Sequence, residues 1–155
     1  MQLPANLDAE RHLLGCVIRD GTSLPDGLIP SDFYEPANQE IASAIIDLAA
    51  RGISPDEVTV TTTLREAGAV ADHILVNDLT TAVGFSVSNA AWAEQIATSA
   101  RLRRIATANL RIAKAIEEGH ADPDALIAFA EGEFKSIAGS PRRKEMLERL
   151  GLDFD

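Results

Sequence analysis

Residues 88–118, SNAAWAEQIATSARLRRIATANLRIAKAIEE, decide the fold, because neither proline nor glycine interrupts them. They are rich in Ala, Arg, Ile and Leu, which are good or tolerable helix formers, and Ser and Thr are scattered among them. This composition predicts one long helix that begins at Ser88 or Asn89 and ends at Glu118.

A second helix is predicted directly after the first. Residues 119–121 form a tight turn, Asp122 is a favourable N-cap, and Pro123 suits the first helical position. This helix should end at Ala138, before Gly139. Its apolar face consists of Leu126, Ile127, Ala130, Phe134 and Ile137. Two long helices joined by a short turn predict an antiparallel hairpin, which has more apolar surface than a lone pair can bury.

Shorter helices are predicted in the first half of the chain. Asn6 is a good N-cap for a helix that ends before Gly21. A short helix is expected near residues 25–29. Pro36 begins a longer helix with one apolar face, and Gly52 provides its left-handed C-cap.

Residues 59–63 are β-branched and taken alone would favour a strand. The short length of the run and the stop at Gly68 favour a helix capped by Thr59 instead. A further helix should span about residues 72–83, followed by a loop at residues 84–87. Because strand-like alternation is missing throughout, the sequence predicts an all-α fold.

The composition describes an acidic chain with a core. It has 155 residues, 46% of them apolar, and a net charge of -10. That charge disfavours strong direct binding to nucleic-acid backbones, whose affinity comes from Lys and Arg. No apolar run approaches the roughly 18 residues that a membrane span needs, and no secretory signal is visible. The single Cys16 fits a reducing cytoplasm.

The sequence contains no arrangement typical of a catalytic site, a metal site or a cofactor site. His12, His73 and His120 lie in three different elements without the spacing of a zinc pair. Structural histidines are the favoured interpretation. Cys16 lies on an apolar helix, where an inert core thiol is more common than a nucleophile. We therefore expect no catalytic residue, no bound metal and no cofactor.

One basic concentration stands out, formed by Arg101, Arg103 and Arg104 together with Arg111 and Lys114. It is interpreted either as a contact for phosphate or an acidic partner, or as a solvated helix face paired with nearby acids. The second interpretation is the more common for such a helix.

Three aromatic residues are further candidates for partner contacts. Phe33 and Tyr34 follow a loop, where core anchors are more common than contact patches. Trp92 lies in the first turn of the long helix. It is either a core residue of the hairpin or an anchor in a subunit contact.

An ordered series of motifs carries a family resemblance. The segments are residues 3–10 (LPANLDAE), 32–37 (DFYEPA), 52–59 (GISPDEVT) and 88–91 (SNAA). Together they resemble the amino-terminal domain of the bacterial replicative DNA helicase, the DnaB type. The resemblance implies a six-helix globular subdomain at residues 1–87, a long antiparallel helical hairpin at residues 88–139 and a tail at residues 140–155.

The resemblance also implies a role in the primosome. Domains of this family pair through their hairpins and build a ring, as a homodimer or higher oligomer, where primase and loader proteins dock. The family's motor needs a phosphate-binding loop, whose pattern is glycine, any four residues, glycine, lysine, and then serine or threonine. This sequence contains no segment with that pattern. A non-enzymatic partner of a replicative helicase, primase or helicase loader is expected, acting as loader, adaptor or inhibitor. The alternative is an excised domain of a full ATP-dependent helicase.

Three interpretations of the tail stay open. Residues 142–150 could dock as an amphipathic helix through Met146, Leu147 and Leu150. Leu150, Leu152 and Phe154 resemble peptides that bind sliding clamps, although Arg149 stands where a glutamine is usual. The third interpretation is a disordered end.

Overall fold

The computed structural model describes residues 2–83, 89–119 and 122–138, and all regular secondary structure within them is helical. The all-α class is therefore confirmed. The elements are α1 (Leu7–Asp20), a 3-10 helix (Pro30–Asp32), α2 (Pro36–Ala50), α3 (Glu57–Glu66), α4 (His73–Ala82), α5 (Asn89–Glu117) and α6 (Pro123–Ala138). Ahead of α5, the described residues form four α-helices and one 3-10 helix, where the resemblance implied six helices. Predictions for residues 84–88, 120–121 and 139–155 lie outside the described residues.

Helix α1 begins and ends where the sequence predicts. Asn6 Oδ1 accepts a hydrogen bond from the Ala9 N–H at 3.0 Å, and Asn6 Nδ2 donates to Gln95 Oε1 at 2.7 Å. At the other end, Gly21 has φ +67°, and its N–H donates to the Val17 carbonyl. A left-handed residue of this kind is favourable for glycine, because a side chain would add strain.

The prediction of a short helix near residues 25–29 is wrong, because the helical element begins at Pro30. Gly27 has φ +88°, which is outside the helical region, so the chain turns there instead. The 3-10 helix starts where Asp32 Oδ2 accepts the Ile29 N–H at 3.1 Å. Proline at the first helical position costs no hydrogen bond.

Helix α3 is a helix, as predicted for its β-branched run, but its N-cap is Asp56 and not Thr59. Asp56 Oδ1 accepts from the Thr59 N–H at 2.7 Å, and Thr59 Oγ1 accepts from the Asp56 N–H at 2.8 Å. This reciprocal pair is a capping box, in which Thr59 occupies the third helical position. Two N–H groups that would otherwise lack partners are thereby satisfied.

The chain divides into two compact units. The first, which we call the core unit, is Ala5–Ala100. The second, the C-terminal unit, takes in the residues up to Pro4 and the chain from Arg101 onward. Helix α5 therefore contributes to both units. The predicted boundaries after residues 87 and 139 stay predictions.

One hydrophobic cluster fills the core unit. Helices α1 to α4 and the beginning of α5 contribute to it. Its large, fully buried members include Leu13, Leu14, Val17, Ile18, Phe33, Ile41, Ile45, Leu48, Val60, Leu64 and Ile96. Cys16 is a buried free thiol on α1. A well-packed cluster of this kind gives the core unit a rigid framework for its surface.

Within the C-terminal unit, α6 is capped as the sequence predicts. Asp122 Oδ2 accepts from the Ala125 N–H at 3.2 Å, and Pro123 occupies the first helical position. An ion pair of 3.1 Å joins Arg111 on α5 to Glu133 on α6. Antiparallel packing of the two helices along their length stays a prediction.

Candidate protein-interaction surfaces

The described residues of α5 and α6 in the C-terminal unit carry an extensive exposed apolar surface. Helix α6 has no buried residue in the part of the chain that the structure describes. The large exposed apolar side chains of this unit are Leu102, Ile105, Leu110, Ile116, Ile127, Phe129 and Phe134, each 37–60% accessible. We call these seven side chains the α5–α6 apolar surface. Exposed apolar side chains are typical of a protein contact where they form one contiguous patch, whereas single ones are common on soluble proteins.

The arginines predicted as a basic patch have different surroundings. Arg103 is only 9% exposed, and its guanidinium donates to the Pro4 carbonyl at 2.9 Å. Arg101 is exposed and Arg104 is half-buried. A contact of Arg103 with a partner would therefore require this hydrogen bond to break, whereas Arg101 is accessible as the chain stands.

The two remaining members of the basic concentration are ion-paired on α5. Arg111 pairs with Glu133 at 3.1 Å, and Lys114 pairs with Glu118, the first residue after the helix, at 3.7 Å. Both pairs are exposed, so each contributes little to stability. They correspond to the interpretation of a solvated helix face paired with acids.

Trp92 packs against the hydrophobic cluster of the core unit. The centroids of the Trp92 and His12 rings are 5.0 Å apart, and the two ring planes are inclined by 39°. The Trp92 Nε1–H is buried and lacks a hydrogen-bond partner among the described residues. This placement against α1 was not foreseen from the sequence, and a role for Trp92 as a subunit anchor stays a prediction.

Phe33 and Tyr34 separate into a core anchor and a surface residue. Phe33 is completely buried, whereas Tyr34 is 44% exposed. The Tyr34 N–H donates to Glu10 Oε2 at 2.9 Å, and Asn38 Nδ2 donates to Glu10 Oε1 at 3.1 Å. Glu10, which the sequence placed simply in the first turn of α1, is thus a buried carboxylate that holds the entry to α2.

A groove lies between α2 and α3 on the core unit, with a volume of about 860 Å³. Its lining residues are Pro36, Ala37, Gln39, Glu40, Ser43, Ala44, Asp47, Thr63, Leu64, Ala67, Ala69 and Val70. We call it the α2–α3 groove. Val70 stands at its edge with 91% of its surface exposed. Most of the lining is therefore apolar, with two carboxylates among it.

Val70 and Glu40 are not among the candidate residues that the sequence predicts. The available signal was residues 69–71, an apolar triplet directly after the helix stop at Gly68. Nothing in the sequence indicates that Glu40, on another helix, binds this triplet.

A second depression of about 490 Å³ lies between α3 and α4. It contains two exposed apolar side chains, Val58 and Ile74, beside Arg65 and His73. Asn77 Nδ2 and Thr80 Oγ1 both donate to Glu57 at its edge, at 3.3 and 2.6 Å. The mixed lining distinguishes this depression from the more apolar α2–α3 groove.

Two absences concern the described ranges, 2–83, 89–119 and 122–138. No group of three or more His, Cys, Asp or Glu side chains there is arranged to hold a metal ion. No helix in the same ranges is long and apolar enough to cross a membrane. The tail residues predicted to contact partners, Leu147, Leu150, Leu152 and Phe154, lie outside the described ranges.

Known proteins resemble this chain in both sequence and structure. The family model of the DnaB-like helicase N-terminal domain matches residues 2–98. The replicative DNA helicase DnaB of Mycobacterium leprae (strain TN) is 34% identical over 150 residues, covering 88% of this chain and 24% of the relative. The replicative DNA helicase DnaB of Geobacillus stearothermophilus is 29% identical, covering 91% and 32%. The chain thus spans about a quarter to a third of the length of these curated relatives.

A solved structure extends the likeness to the fold. The crystal structure of the N-terminal domain of DnaB helicase from Mycobacterium tuberculosis matches with a TM-score of 0.77 at 27% identity. The match covers 88% of this chain and 99% of that one. The region of similarity is therefore a whole domain in the neighbouring structure.

Proposed function

Because the chain belongs to the family of the DnaB-like helicase N-terminal domain, we propose that it is a non-enzymatic DNA-replication protein that acts in the cytoplasm through protein contacts. The partner is a replicative helicase, the primase of that helicase, or its loader. The family match and the structural neighbour support this choice of partners. The chain would act as loader, adaptor or inhibitor by presenting a surface shaped like the helicase's own subunit contacts.

The α5–α6 apolar surface is the observation that carries this proposal. Burying an apolar side chain such as leucine or phenylalanine contributes about 1.5–3 kcal/mol. Seven such side chains stay at least 37% accessible in the C-terminal unit. A second copy of the chain, or a helical surface of the helicase, would cover them and gain this burial. We therefore assign both self-association and the helicase contact to α5 and α6.

Light scattering after size exclusion tests the contact directly. At micromolar concentrations the chain should form a dimer or larger species, and should co-elute with the cognate replicative helicase. Phe134→Asp places a charge in the α5–α6 apolar surface and should lower the mass of both species. Ile74→Asp is the matched control, because Ile74 is an exposed apolar residue on the core unit. Absence of any complex with the helicase, its primase and its loader would contradict the proposal.

The non-enzymatic character is a separate part of the proposal. The 155 residues contain no segment with the glycine and lysine pattern of a phosphate-binding loop. We expect no release of phosphate from ATP in a malachite-green assay, with or without single-stranded DNA. Turnover above the background of a buffer control would contradict this expectation.

A second candidate is the N-terminal part of an ordinary ATP-driven helicase. The coverage of the curated relatives favours it, because the chain matches only 24–32% of their length. The two candidates differ in the length of the gene that they predict. A reading frame that continues beyond the codon of Asp155 into a motor domain would establish the second candidate and remove the first.

A further inference from the structure

We propose that the α2–α3 groove of the core unit binds an amphipathic helix of a partner protein, one whose apolar face is flanked by Lys and Arg. The proposal rests on the proposed function in one respect, that the chain acts through protein contacts. It concerns a different surface, because every groove residue lies in Ala5–Ala100 and the α5–α6 apolar surface does not.

The lining of the groove suits a helix. The side chains of Ala37, Ala44 and Ala67 are small, and Leu64, which also lines the groove, is buried. Small residues leave room for the larger side chains that an amphipathic helix places at every third and fourth position. Val70, 91% exposed at the edge, would gain burial that no described residue of this chain provides.

The edge of the groove is held in place before any partner arrives. Both carboxylate oxygens of Glu40 are engaged: Oε2 accepts the Val70 N–H at 3.0 Å, and Oε1 accepts the Ala71 N–H at 3.1 Å. Ala71 itself is buried in the core. Val70 is thus presented by a fixed backbone, which lowers the conformational cost of binding.

The negative charge of the core unit favours a basic helix as the partner of the groove. The core unit contains 14 Asp and Glu and four Arg, so the whole net charge of -10 resides in residues 5–100. Among the described residues that line the groove, Glu40 and Asp47 are charged and none is Lys or Arg. Arg51, outside the lining, pairs with Asp47 at 3.2 Å, so the negative charge that attracts a basic helix is mainly that of the core unit as a whole. A helix flanked by Lys and Arg is attracted to this surface, and an acidic helix is repelled. A second core unit would bring the same negative charge, which argues against self-pairing through the groove.

A designed peptide tests the inference on the full chain. The probe is a ~15-residue peptide of Leu, Lys and Ala with leucines at positions that share one helical face, long enough to form a helix when docked. Two controls are the same peptide with every Lys replaced by Glu, and a peptide of the same composition with the leucines scattered. Shifts of the chain's backbone amide resonances should be confined to the groove and should occur with the Lys peptide alone.

Two exposed valines provide matched variants. Val70→Lys should weaken binding of the Lys peptide by at least about tenfold, because a charge would be buried against the leucines. Val58→Lys places the same charge between α3 and α4 and should leave the affinity unchanged. Asp47→Lys removes a carboxylate of the groove and its ion pair with Arg51, so it should weaken binding and reduce the dependence of binding on salt. Circular dichroism confirms that each variant is folded.

Several results would overturn the inference. They are no binding of the Lys peptide, equal binding of the Glu peptide, shifts outside the groove, and equal loss in Val58→Lys. A fall in the chain's own mass with Val70→Lys would assign the groove to a second copy, and tighter binding of a peptide of residues 141–155 would assign it to the tail. If only the groove inference is wrong, the peptide does not bind and the complex with the helicase still forms. If only the proposed function is wrong, that complex is absent and the peptide still binds.

Discussion

Glu10 shows at the scale of one residue how a charged side chain fixes the path of the backbone. Its carboxylate is buried and accepts hydrogen bonds from the Tyr34 N–H and the Asn38 side chain. A buried carboxylate is stable only when its oxygens have donors. The segment that leads into α2 is therefore held against α1 by polar contacts as well as by the burial of Phe33.

Removing this carboxylate should destabilise the core unit. Glu10→Ala removes the acceptor of the buried Asn38 amide and of the Tyr34 N–H, so the free energy of unfolding should fall by about 2–3 kcal/mol in urea titrations followed by circular dichroism. Asp8→Ala is the control, because Asp8 is exposed in the first turn of the same helix. That variant should lose about 0.3–1 kcal/mol through the helix dipole alone. Equal losses in the two variants would contradict the role assigned to Glu10.

The start of α3 shows how an element depends on its cap. The Thr59 N–H that donates to the Asp56 carboxylate lowers the pKa of Asp56, and this outweighs the opposing effect of burial. A carboxyl whose folded-state pKa is lowered stabilises the fold above its unfolded-state value, near 3.9. That contribution is lost as the pH falls through the folded-state pKa.

Two substitutions separate the cap from its charge. Asp56→Ala should cost about 1 kcal/mol at pH 7, the usual value for a lost N-cap. Asp56→Asn keeps an acceptor, so it should stay close to the wild type at pH 7. As the pH falls below about 4, the wild type should lose stability relative to Asp56→Asn, because only the wild type takes up a proton at this position. A constant difference between the two proteins across this range would contradict the lowered pKa.

The packing of α1 against α4 depends on a glycine inside a helix. A Cβ atom at Gly15 would meet the Leu79 carbonyl oxygen and would lie 2.5 Å from Val83 Cγ1. Backbone atoms cannot move aside cheaply, so the two helices approach closely only because this position has no side chain.

Two glycine substitutions should therefore have opposite signs. Gly15→Ala should lower the free energy of unfolding by about 1–3 kcal/mol, the usual cost of overpacking. Gly132→Ala, in α6, has nothing within 4 Å of its Cβ position. It should gain about 0.5–1 kcal/mol, because alanine is the better helix former. Urea titrations measure both, and stabilisation by Gly15→Ala would show that α1 and α4 are not in close contact.

At the scale of the whole molecule, the charge is unevenly distributed. Residues 5–100 hold the net charge of -10, and the rest of the chain has equal numbers of acidic and basic residues. Binding to a phosphate backbone depends on displaced counterions and therefore on unpaired Lys and Arg. We therefore expect the negative charge to disfavour that mode of binding.

We predict no saturable binding of single-stranded DNA. A labelled oligonucleotide of about 20 nucleotides, longer than common single-strand site sizes, should show no rise in anisotropy with micromolar protein at low salt. Binding that disappears in Arg101→Ala or Arg104→Ala would contradict this prediction and would identify these arginines of α5 as phosphate contacts.

The fold was more predictable than the candidate surfaces. The bounds of α5 and α6 followed from breakers and caps within a few residues of each end. The same local reasoning misplaced the cap of α3 by three residues and the short helix before α2, because several neighbouring residues there could serve as caps. The α2–α3 groove escaped prediction, since it depends on which helices become neighbours.

The sequence by itself determined the all-α class, most of the helix ends and the family resemblance, because these depend on residues close together in the chain. Only the tertiary structure decided where Glu10 and Glu40 are used. Their hydrogen-bond partners lie 24 to 31 residues away along the chain. Tertiary packing likewise left Val70 exposed and Phe33 buried, although both are apolar residues beside turns. Burial depends on the total arrangement of the helices, and a local sequence pattern does not contain that arrangement.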